Sequence, residues 1–532
     1  MIFPNDQQIP AEMIIDSNAI SRRWLCDGEV RVWQGASAEV RSPICVRRGD
    51  QIERFLVGHE AMLDEAAARA CLDAARGAWA EGRGAWPSLR VAGRIAAMER
   101  FVVAMRKVRE DVVRLLMWEI AKTRKDAESE FDRTVQYIVD TVEALKELDR
   151  TSARFVMEEG FLGQIRRSPF GVVLCMGPFN YPLNETFTTL IPALIMGNTV
   201  VSKLPRHGGL AHVPLFEAMA TCFPPGVVNV FQGDGATTIG PLMTSGGVDV
   251  LAFIGTSRVA NILKRQHPRP HRLRSILGLE AKNPAVILPD ADLDVAVREC
   301  VSGSLSFNGQ RCTALKLVFA HDAIADAFAE RLAAAVDALV VGMPWEPNVQ
   351  VTPLPEPDKA QRLAALVDDA VAKGARVINR GGHSDHTFYA PAVVYPVTAE
   401  MRLFHEEQFG PIVPIARFSS DAEIDHFMRE SPYGQQVSLF GQDRRRMGGL
   451  IDALVNQVCR INLNSQCRRG PDTFPFNGRK DSAEGTLSVS DALRAFSIRT
   501  VVAAGATPDN KGLVTDIVTG RLSRFLSTDF IF

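Results

Sequence analysis

Between residues 171 and 420, short runs of apolar and β-branched residues alternate with stretches whose apolar residues recur every three or four positions. The first series predicts strands at 172–176, 199–203, 227–231, 248–254 and 284–288, with helices at 186–196, 210–222 and 257–265. Short apolar strands separated by helices form mostly parallel, doubly wound sheets, because the crossover helices cover the faces of the sheet. The sequence therefore predicts an α/β fold.

A second series of the same kind begins near residue 290. Its predicted helices are 293–304, 324–340 and 359–373, and its strands include 316–320, 376–378 and 412–417. The region before the first series has helical periodicity at 64–80, 91–116 and 124–149. Residues 155–170 read as a hairpin that turns at 158–160, and one more strand is predicted at 495–502. We therefore expect two doubly wound parallel-sheet domains with a small β element beside them.

The overall composition excludes several classes of partner. The chain has 532 residues and a formal net charge of -2, which gives no reason to expect nucleic acid or a membrane surface. Its nine cysteines show no paired spacing of metal ligands, so no metal site is predicted, and their odd number fits a reducing compartment. The N-terminus has no basic or apolar leader, and the apolar stretch 170–204 is interrupted by prolines and glycines. These features predict a cytoplasmic protein.

Residues 307–313 read Phe-Asn-Gly-Gln-Arg-Cys-Thr and contain the strongest candidate for a nucleophile, Cys312. A cysteine acts as a nucleophile through its thiolate, so its surroundings must lower the thiol pKa or supply a base. Gly309 allows a close approach of backbone, and the amide of Cys312 can help to hold an oxyanion. The alternative is a small buried apolar side chain, which is the common role of a single cysteine.

Two further motifs follow neighbouring predicted strands. Gly-Pro-Phe-Asn-Tyr-Pro at 177–182 comes directly after strand 172–176, where ligands of open parallel sheets bind. The side-chain amide of Asn180 could donate to an oxyanion there, or it could cap the following helix. After strand 199–203, Lys203 is placed to bond ribose hydroxyls, and Arg206 suits a phosphate.

Three more motifs lie further along the chain. Gly255 and Thr256 end a predicted strand and open a helix, whose first amides make an anion site for a pyrophosphate, although the full GxGxxG pattern is missing. The run 404–411 contains Glu407 and Phe409 ahead of a turn. The loop 468–476 begins with Arg468 and Arg469, two guanidinium groups that suit an anionic substrate.

In this order, these motifs resemble the aldehyde dehydrogenase superfamily from about residue 64 to residue 502. The resemblance rests on Pro-Phe-Asn-Tyr-Pro, the lysine at a strand end, Phe-Ile-Gly-Thr-Ser, Gly-Gln-Arg-Cys and Glu-x-Phe-Gly-Pro. Within the superfamily, residues 308–313 and the loop with Arg-Gly-Pro-Asp and Phe-Pro-Phe are similar to the non-phosphorylating glyceraldehyde-3-phosphate dehydrogenases.

The resemblance implies a role for each matching residue. Cys312 would attack an aldehyde and form a thiohemiacetal, which passes hydride to a nicotinamide and leaves a thioester. Asn180 and the Cys312 amide would form the oxyanion hole. Arg468 or Arg469, with Tyr181 beside the catalytic asparagine, would contact a substrate such as glyceraldehyde-3-phosphate, and Arg150 and Arg154 would assist in binding its phosphate.

The same resemblance implies a dinucleotide cofactor. Lys203 and Glu407 would hold the adenosine-side and nicotinamide-side riboses, Gly255 and Thr256 would lie near the pyrophosphate, and Phe409 near the nicotinamide ring. Members that use NAD commonly carry an acidic residue three positions after this lysine. Arg206 stands there instead, which predicts NADP over NAD because a guanidinium favours a 2′-phosphate. The alternative is that Arg206 points into solvent.

The chain departs from the family pattern at 276–284. Where the family has Glu-Leu-Gly-Gly-Lys, with the glutamate as the base that activates water, this chain has Gly278 at the glutamate position and Glu280 two residues later. We expect Glu280 to act as the base from a shifted position, since a carboxylate needs only to come within reach of the water. Alternatively, Glu280 faces the cofactor or is structural, and the base is missing. The thioester would then hydrolyse slowly or pass to an acceptor such as coenzyme A.

The implied organisation has six segments: an N-terminal extension with the helical part of the cofactor domain (1–154), a bridging hairpin (155–170), the core of a Rossmann-like cofactor domain (171–288), a catalytic domain (289–475), a return segment with an oligomerisation strand (476–503) and a C-terminal tail (504–532). The hairpin and the late strand imply a homodimer or homotetramer. The leading function is oxidation of glyceraldehyde-3-phosphate with NADP. Oxidation of another small aldehyde, an acylating enzyme, a non-enzymatic NADP-binding paralogue and a hydrolase of the thioesterase kind remain alternatives.

Overall fold

The computed structural model describes residues 2–530, and its first sheet has eight strands. Two antiparallel strands, Arg23–Cys26 and Glu29–Val32, extend one edge of this sheet, and Ala483–Glu484 extends the other. Between them run five parallel strands, in the spatial order Val228–Phe231, Thr199–Lys203, Val172–Met176, Val250–Ile254 and Arg274–Gly278.

Helices alternate with the parallel strands and precede them, as the apolar periodicity predicts. The predicted helix 91–116 is in fact two helices, because the backbone leaves the helical region at Val108 (φ -108°, ψ 17°). Neither glycine nor proline marks this break in the sequence. The helices of this half of the chain are Glu65–Trp79, Val91–Arg106, Arg109–Ile120, Arg124–Thr151, Pro182–Ile195, Phe216–Cys222, Gly235–Thr244 and Ser257–Gln266.

The second sheet has seven strands, of which six are parallel and one edge strand is antiparallel. In spatial order they are Arg376–Val377, Ala392–Tyr395, Ile412–Phe418, Leu317–His321, Pro284–Ile287, Gln436–Phe440 and Arg460–Leu463. The main helices of this half are Leu293–Leu305, Ala325–Asp337, Lys359–Ala372, Asp421–Glu430 and Arg444–Leu454. The predicted fold of two doubly wound parallel sheets is confirmed.

One strand that was predicted for the first sheet lies in the second sheet. Pro284–Ile287 does not complete the first sheet but pairs with Leu317–His321 and Gln436–Phe440 at the centre of the second. The first sheet takes Arg274–Gly278 instead, a strand that the sequence did not reveal because a basic stretch precedes it. Both strands are short, and an apolar run indicates burial without indicating the partner strand.

A separate three-stranded sheet contains the predicted hairpin. Phe155–Glu158 and Phe161–Pro169 are joined by Glu159 and Gly160, both with positive φ (47° and 80°), as a two-residue hairpin turn requires. The late strand Ser497–Gly505 pairs antiparallel with Phe161–Pro169 along its full length. This strand begins two residues later than predicted, because a short helix, Val489–Ala495, precedes it.

The two ends of the chain hold structure that the sequence did not predict. Ser37–Arg48 and Gln51–Ala61 form a long hairpin, and Pro508–Thr519 forms a helix after the late strand. No helix within residues 2–530 is long and apolar enough to span a membrane. Over the same residues, no three His, Cys, Asp or Glu side chains are grouped as metal ligands.

Candidate functional site

The loop that carries Cys312 has an unusual backbone. Phe307, Asn308 and Gly309 follow one another with positive φ of 47°, 55° and 69°. A Cβ on Gly309 would lie 2.6 Å from the carbonyl oxygen of Ser304 and 2.7 Å from that of Gly410. Only glycine fits this close approach of backbone, as predicted from the motif.

Two side chains hold the backbone of Cys312 in place. Its carbonyl oxygen accepts hydrogen bonds from Asn283 Nδ2 (2.8 Å) and Lys316 Nζ (2.9 Å). Cys312 itself is partly exposed and lines a cavity of about 330 Å³. The loop therefore presents the thiol to an open cavity large enough for a small substrate.

The charges around Cys312 act in opposite directions on its pKa. Burial raises the pKa of the thiol above its ordinary value, and the carboxylate of Glu185 raises it further, whereas Lys316 and Arg469 lower it. A thiolate is the reactive form, so these two cations favour the nucleophile and Glu185 opposes it.

Asn180 lies beside the Cys312 loop, as the sequence predicts. It follows the first-sheet strand Val172–Met176, and its Nδ2 donates a hydrogen bond to the carbonyl oxygen of Gln310 (2.7 Å). That carbonyl is two residues before Cys312. The side-chain amide has a second hydrogen for an oxyanion, while its proposed role as a cap of the next helix has no side-chain bond to support it.

Lys122 is an anchor of the site that sequence reasoning missed. Its ammonium is fully buried, forms an ion pair with Glu130 and donates to the carbonyl oxygen of Asn180 (3.0 Å). It also lies over the ring of Tyr181, 3.5 Å from the centroid, and over that of Phe307 at 4.5 Å. One cation thus ties the Asn180 loop to the Cys312 loop. The positions are far apart in sequence, so no local pattern could have shown this.

Four arginines line the cavity with Cys312. Arg468 and Arg469 are the predicted pair, whereas Arg133 and Arg311 had no assigned role. Arg311 directly precedes Cys312 in the motif, which was the available signal for it. Tyr181 also lines the cavity, as predicted. Among the described residues that line it, neither Arg150 nor Arg154 is found.

Three of these arginines already have carboxylate partners. Arg133 forms a two-point ion pair with Asp472 (2.7 and 2.9 Å), and Arg468 lies 3.6 Å from Glu299. Arg469 is the most buried of the four and bonds both Glu185 and Asp472 (3.2 Å to the latter).

Arg311 differs from the other three. Its Nη2 donates only to neutral acceptors, the backbone carbonyls of Ser302 and Gly303 and the side chain of Gln466. Its Nε is buried without a partner among the described residues. Among the described residues, Arg311 is therefore the cavity arginine without a carboxylate partner, which suits an anionic ligand.

The predicted cofactor residues gather at the carboxyl edge of the first sheet. Lys203 ends a strand in register with Met176, and within residues 2–530 no side chain or carbonyl accepts a hydrogen bond from its ammonium. Burial lowers the pKa of Lys203, while Glu60 and Asp234 raise it. Arg206 is exposed, three residues further on.

Gly255 and Thr256 open the helix Ser257–Gln266, and the Thr256 side chain caps it by accepting from Val259 N (3.4 Å). Glu280 sits at the same helix start. Its Oε2 accepts from the backbone N–H of Ser257 (2.9 Å), and its Oε1 lies 3.4 Å from the Ser257 hydroxyl.

This position bears on the expectation that Glu280 is the base for Cys312. Of the described residues, those that line the Cys312 cavity do not include Glu280. The partial positive charge of the helix N-terminus attracts its carboxylate to the cofactor side. The alternative interpretation, a cofactor-facing Glu280 and no base at Gly278, agrees with the structure.

Glu407 and Phe409 lie between the cofactor edge and Cys312. Glu407 Oε1 accepts from Lys316 Nζ (2.5 Å), the same ammonium that bonds the Cys312 carbonyl, and from Ala281 N (3.1 Å). Phe409 meets Phe179 edge to face, with ring centroids 5.9 Å apart. Lys282 and Lys316 were also missed by sequence reasoning; burial lowers the pKa of Lys282 to about 7.

These groups fit a dinucleotide in most respects. The free ammonium of Lys203 suits ribose hydroxyls, the exposed Arg206 suits a 2′-phosphate, and the Phe179–Phe409 pair offers an aromatic wall. One group does not fit as it stands: Glu280 occupies the amide of Ser257 that a pyrophosphate would use. Its side chain must turn away when the phosphates bind.

Comparison with known proteins agrees with this geometry. Residues 50–502 match the model of the aldehyde dehydrogenase family. A relative from Streptococcus equinus, called NADP-dependent glyceraldehyde-3-phosphate dehydrogenase, is 35% identical over 73% of this chain and 81% of its own length. A plant relative of the same name, from Nicotiana plumbaginifolia, is 31% identical over 78% and 84%.

A solved structure is similar over most of the fold. It is NADP-dependent glyceraldehyde-3-phosphate dehydrogenase from Bacillus halodurans, complexed with NADP, with a TM-score of 0.83 and 28% identity over 92% of this chain and all of that one. The two parallel sheets, together with the family match, identify an NAD(P)-dependent aldehyde dehydrogenase. The chain belongs to the aldehyde dehydrogenase family.

Proposed function

We propose that this protein oxidises glyceraldehyde-3-phosphate to the carboxylic acid, with NADP as the electron acceptor and Cys312 as the nucleophile. The observation that carries the proposal is the cavity of about 330 Å³ in which the Cys312 thiol meets four arginines. Guanidinium groups beside a nucleophile suit a small aldehyde that bears a phosphate. The names of the relatives from Streptococcus and Nicotiana point to the same substrate and cofactor.

The protein residues have distinct tasks in the reaction. The Cys312 sulfur attacks the aldehyde carbon, and the Cys312 N–H and the Asn180 amide hold the oxyanion of the thiohemiacetal. NADP, when bound, accepts the hydride. What remains on Cys312 is a thioester, which water cleaves to the acid. Since burial and Glu185 raise the pKa of Cys312, the rate of attack should increase as the pH rises towards that pKa.

The cofactor would be held along the carboxyl edge of the first sheet. Lys203 and Glu407 would bind the two riboses, and Arg206 the 2′-phosphate that distinguishes NADP from NAD. Gly255 and Thr256 would receive the pyrophosphate, and Phe409 would pack near the nicotinamide ring.

The substrate phosphate would bind mainly to Arg311. Arg311 bonds only neutral acceptors among the described residues, whereas Arg469 would have to exchange Glu185 for the phosphate. Arg468, half exposed, and Tyr181 complete the contact from the cavity wall.

One observation favours an alternative fate for the thioester. Gly278 stands where the family has its basic glutamate, and Glu280 is bonded to Ser257 on the cofactor side. Without a base near Cys312, the acyl group would be transferred to a thiol such as coenzyme A rather than to water.

The test is NADPH formation from glyceraldehyde-3-phosphate in the wild type and in Cys312→Ser, with and without coenzyme A. We expect sustained turnover without coenzyme A, and a fall of about three orders of magnitude or more in Cys312→Ser. Cys459→Ser, which replaces another partly exposed cysteine, is the matched control and should keep full activity.

NAD in place of NADP tests the cofactor, and unphosphorylated glyceraldehyde tests the role of the arginines. Both should give much lower kcat/KM. Equal activity of Cys312→Ser and the wild type would refute the proposed mechanism. If the enzyme makes one equivalent of NADPH and continues only when coenzyme A is added, the thioester is consumed by acyl transfer and not by hydrolysis.

A further inference from the structure

A buried carboxylate, Glu185, faces the same cavity as Cys312. It lies in the first turn of the helix Pro182–Ile195, four residues after Tyr181, so the two side chains share one face of that turn. Its side chain is 8% exposed. Of the described residues that line the cavity, Glu185 is the one with a carboxylate.

The two oxygens of Glu185 have different surroundings. Oε2 accepts from the guanidinium of Arg469 and lies 3.5 Å from the hydroxyl of Thr188. No residue within 2–530 donates a hydrogen bond to Oε1. This oxygen is also not among the buried atoms without a partner, so it has accessible surface. Oε1 is therefore open to the cavity and free to accept from a water molecule. The guanidinium of Arg469 on the other oxygen fixes the orientation of the carboxylate.

Gly278 stands where the family has its basic glutamate, and a lack of space for a Cβ does not explain the glycine. A Cβ on Gly278 would lie 3.4 Å from Ile254 and 3.7 Å from Leu487, which are ordinary contacts, and the backbone there does not require glycine. The fold has room for a Cβ at position 278, yet the residue there is glycine. Glu280 is engaged with Ser257. The family's carboxylate is thus missing at position 278, whereas Glu185 supplies a carboxylate to the Cys312 cavity.

We propose that Glu185 is the general base for hydrolysis of the thioester on Cys312. This role rests on the proposed function only in that an acyl group must form on the Cys312 sulfur. Glu185 Oε1 takes a proton from water as the water oxygen forms a bond to the thioester carbon. The tetrahedral intermediate then collapses: the C–S bond breaks, the electron pair leaves with the Cys312 sulfur as thiolate, and the carboxylic acid departs. The proton on Glu185 passes to solvent.

Arg469 positions this base. It holds Oε2 of Glu185 and is itself fixed by Asp472, which Arg133 also binds. The chain Arg133–Asp472–Arg469–Glu185 leaves Arg311 as the guanidinium without a carboxylate partner. Substrate binding and water activation therefore fall to different parts of the cavity wall.

The test uses p-nitrophenyl acetate, which acylates a cysteine without aldehyde or cofactor. Release of p-nitrophenolate reports acylation as a burst, and the following steady rate reports deacylation. In Glu185→Gln we expect a burst of one equivalent and a steady rate lower by about 10²- to 10⁴-fold. Intact-protein mass spectrometry should show the acetyl adduct on this variant and little on the wild type.

Three further variants complete the experiment. Glu143→Gln, at an exposed position of the helix Arg124–Thr151, is the control and should keep the wild-type steady rate. Glu185→Asp keeps the charge beside Arg469 but withdraws the oxygen by one methylene, so its steady rate should fall by about tenfold with an intact burst. Cys312→Ser should show neither burst nor adduct.

An unchanged steady rate in Glu185→Gln overturns the proposal, and so does a lost burst in both Glu185 variants, since the residue would then serve acylation or folding. Failure of the proposed function has a different signature. In that case p-nitrophenyl acetate still distinguishes the Glu185 variants, but no aldehyde yields NADPH.

Discussion

Glu119 is a buried carboxyl group whose nearest partners are backbone amides. It accepts hydrogen bonds from Leu210 N (3.2 Å) and Ala211 N (2.7 Å), and burial raises its pKa from 4.5 to about 8. Between these two values the folded protein keeps a proton that the unfolded chain has lost. The free energy of unfolding therefore falls as the pH rises from about 4.5 to 8, by roughly 1.4 kcal/mol per pH unit at most.

Glu119→Gln should remove this dependence. We expect its urea-unfolding free energy to change less than that of the wild type between pH 5 and pH 8, even if one lost hydrogen bond lowers its stability throughout. Glu110→Gln, at an exposed position of the same helix, serves as the control and should follow the wild-type profile. Parallel profiles for Glu119→Gln and the wild type would show that Glu119 does not titrate in this range.

At the scale of residues, the sequence revealed the groups that sit in short motifs. The Cys312 loop, Asn180 and the strand-end Lys203 are recognisable because local backbone geometry and residue type coincide within a few positions. Arg133 and Glu185 lie in helices and Lys122 in the loop between two helices, all more than a hundred positions from Cys312. Arg133 and Glu185 reach the cavity, and Lys122 reaches the Phe307 ring, only through the tertiary fold. The contact of Glu280 with Ser257 was not predictable, because the sequence cannot tell which of two nearby surfaces a side chain faces.

At the scale of elements, the helix Pro182–Ile195 depends on a buried ion pair at its start. Glu130 Oε1 accepts from the first free amides of the helix, Leu183 N (3.0 Å) and Asn184 N (3.1 Å), while Oε2 binds Lys122. One carboxylate thus caps the helix and neutralises the cation that contacts both the Asn180 loop and the Cys312 loop.

Lys122→Met should destabilise the protein by about 3–5 kcal/mol, because it leaves Glu130 buried without its partner. Arg69→Met breaks the exposed pair with Glu65 and should cost about 0–1 kcal/mol. Chemical denaturation of both variants measures the difference. Equal losses would mean that the buried pair is no more important than a surface pair.

The elements themselves were largely predictable. Apolar strands such as Val172–Met176 and Thr199–Lys203 appear with the predicted bounds, because each is a short buried run between clear breaks. The predicted helix 210–222 begins as a 3-10 segment, Leu210–Leu215, and becomes α-helical at Phe216. Pro214 in this segment lacks the N–H that an α-helix needs.

At the scale of the whole molecule, the three-stranded sheet has an open edge. Ser497–Gly505 is its outer strand, and six apolar side chains of the sheet are 39–60% exposed: Val156, Met157, Phe161, Ile498, Val501 and Val502. An apolar sheet edge of this length favours pairing with another chain, which supports the prediction of a homodimer or homotetramer.

Val501→Asp should weaken this assembly at least about tenfold, because it places a charge among apolar contacts. Arg499→Asp, two residues away on the same face of the strand, is the control for added negative charge and should have a smaller effect. Sedimentation velocity over a range of concentrations measures both. A monomeric wild type, or a Val501→Asp variant with wild-type mass, would exclude this edge as the interface.

The global arrangement was the part least accessible to sequence. Neither the long N-terminal hairpin nor the docking of the chain end was predicted, since both depend on contacts between distant segments. Asp149, for example, accepts from the backbone amides of Asp529 and Phe530 and pairs with Arg166. Contacts across nearly 400 positions leave no periodic signal in the sequence.

The edge strand Ala483–Glu484 is synthesised about 200 residues after the strand with which it pairs. It pairs with Leu277 and Gly278, so the first sheet stays incomplete while the whole second sheet is synthesised. At about 5–20 residues per second, the ribosome needs tens of seconds to cover that distance. During this time the strand Arg274–Gly278 has an unpaired edge that could bind another nascent chain, so the yield of active protein should depend on translation speed and on chaperones that shield this strand.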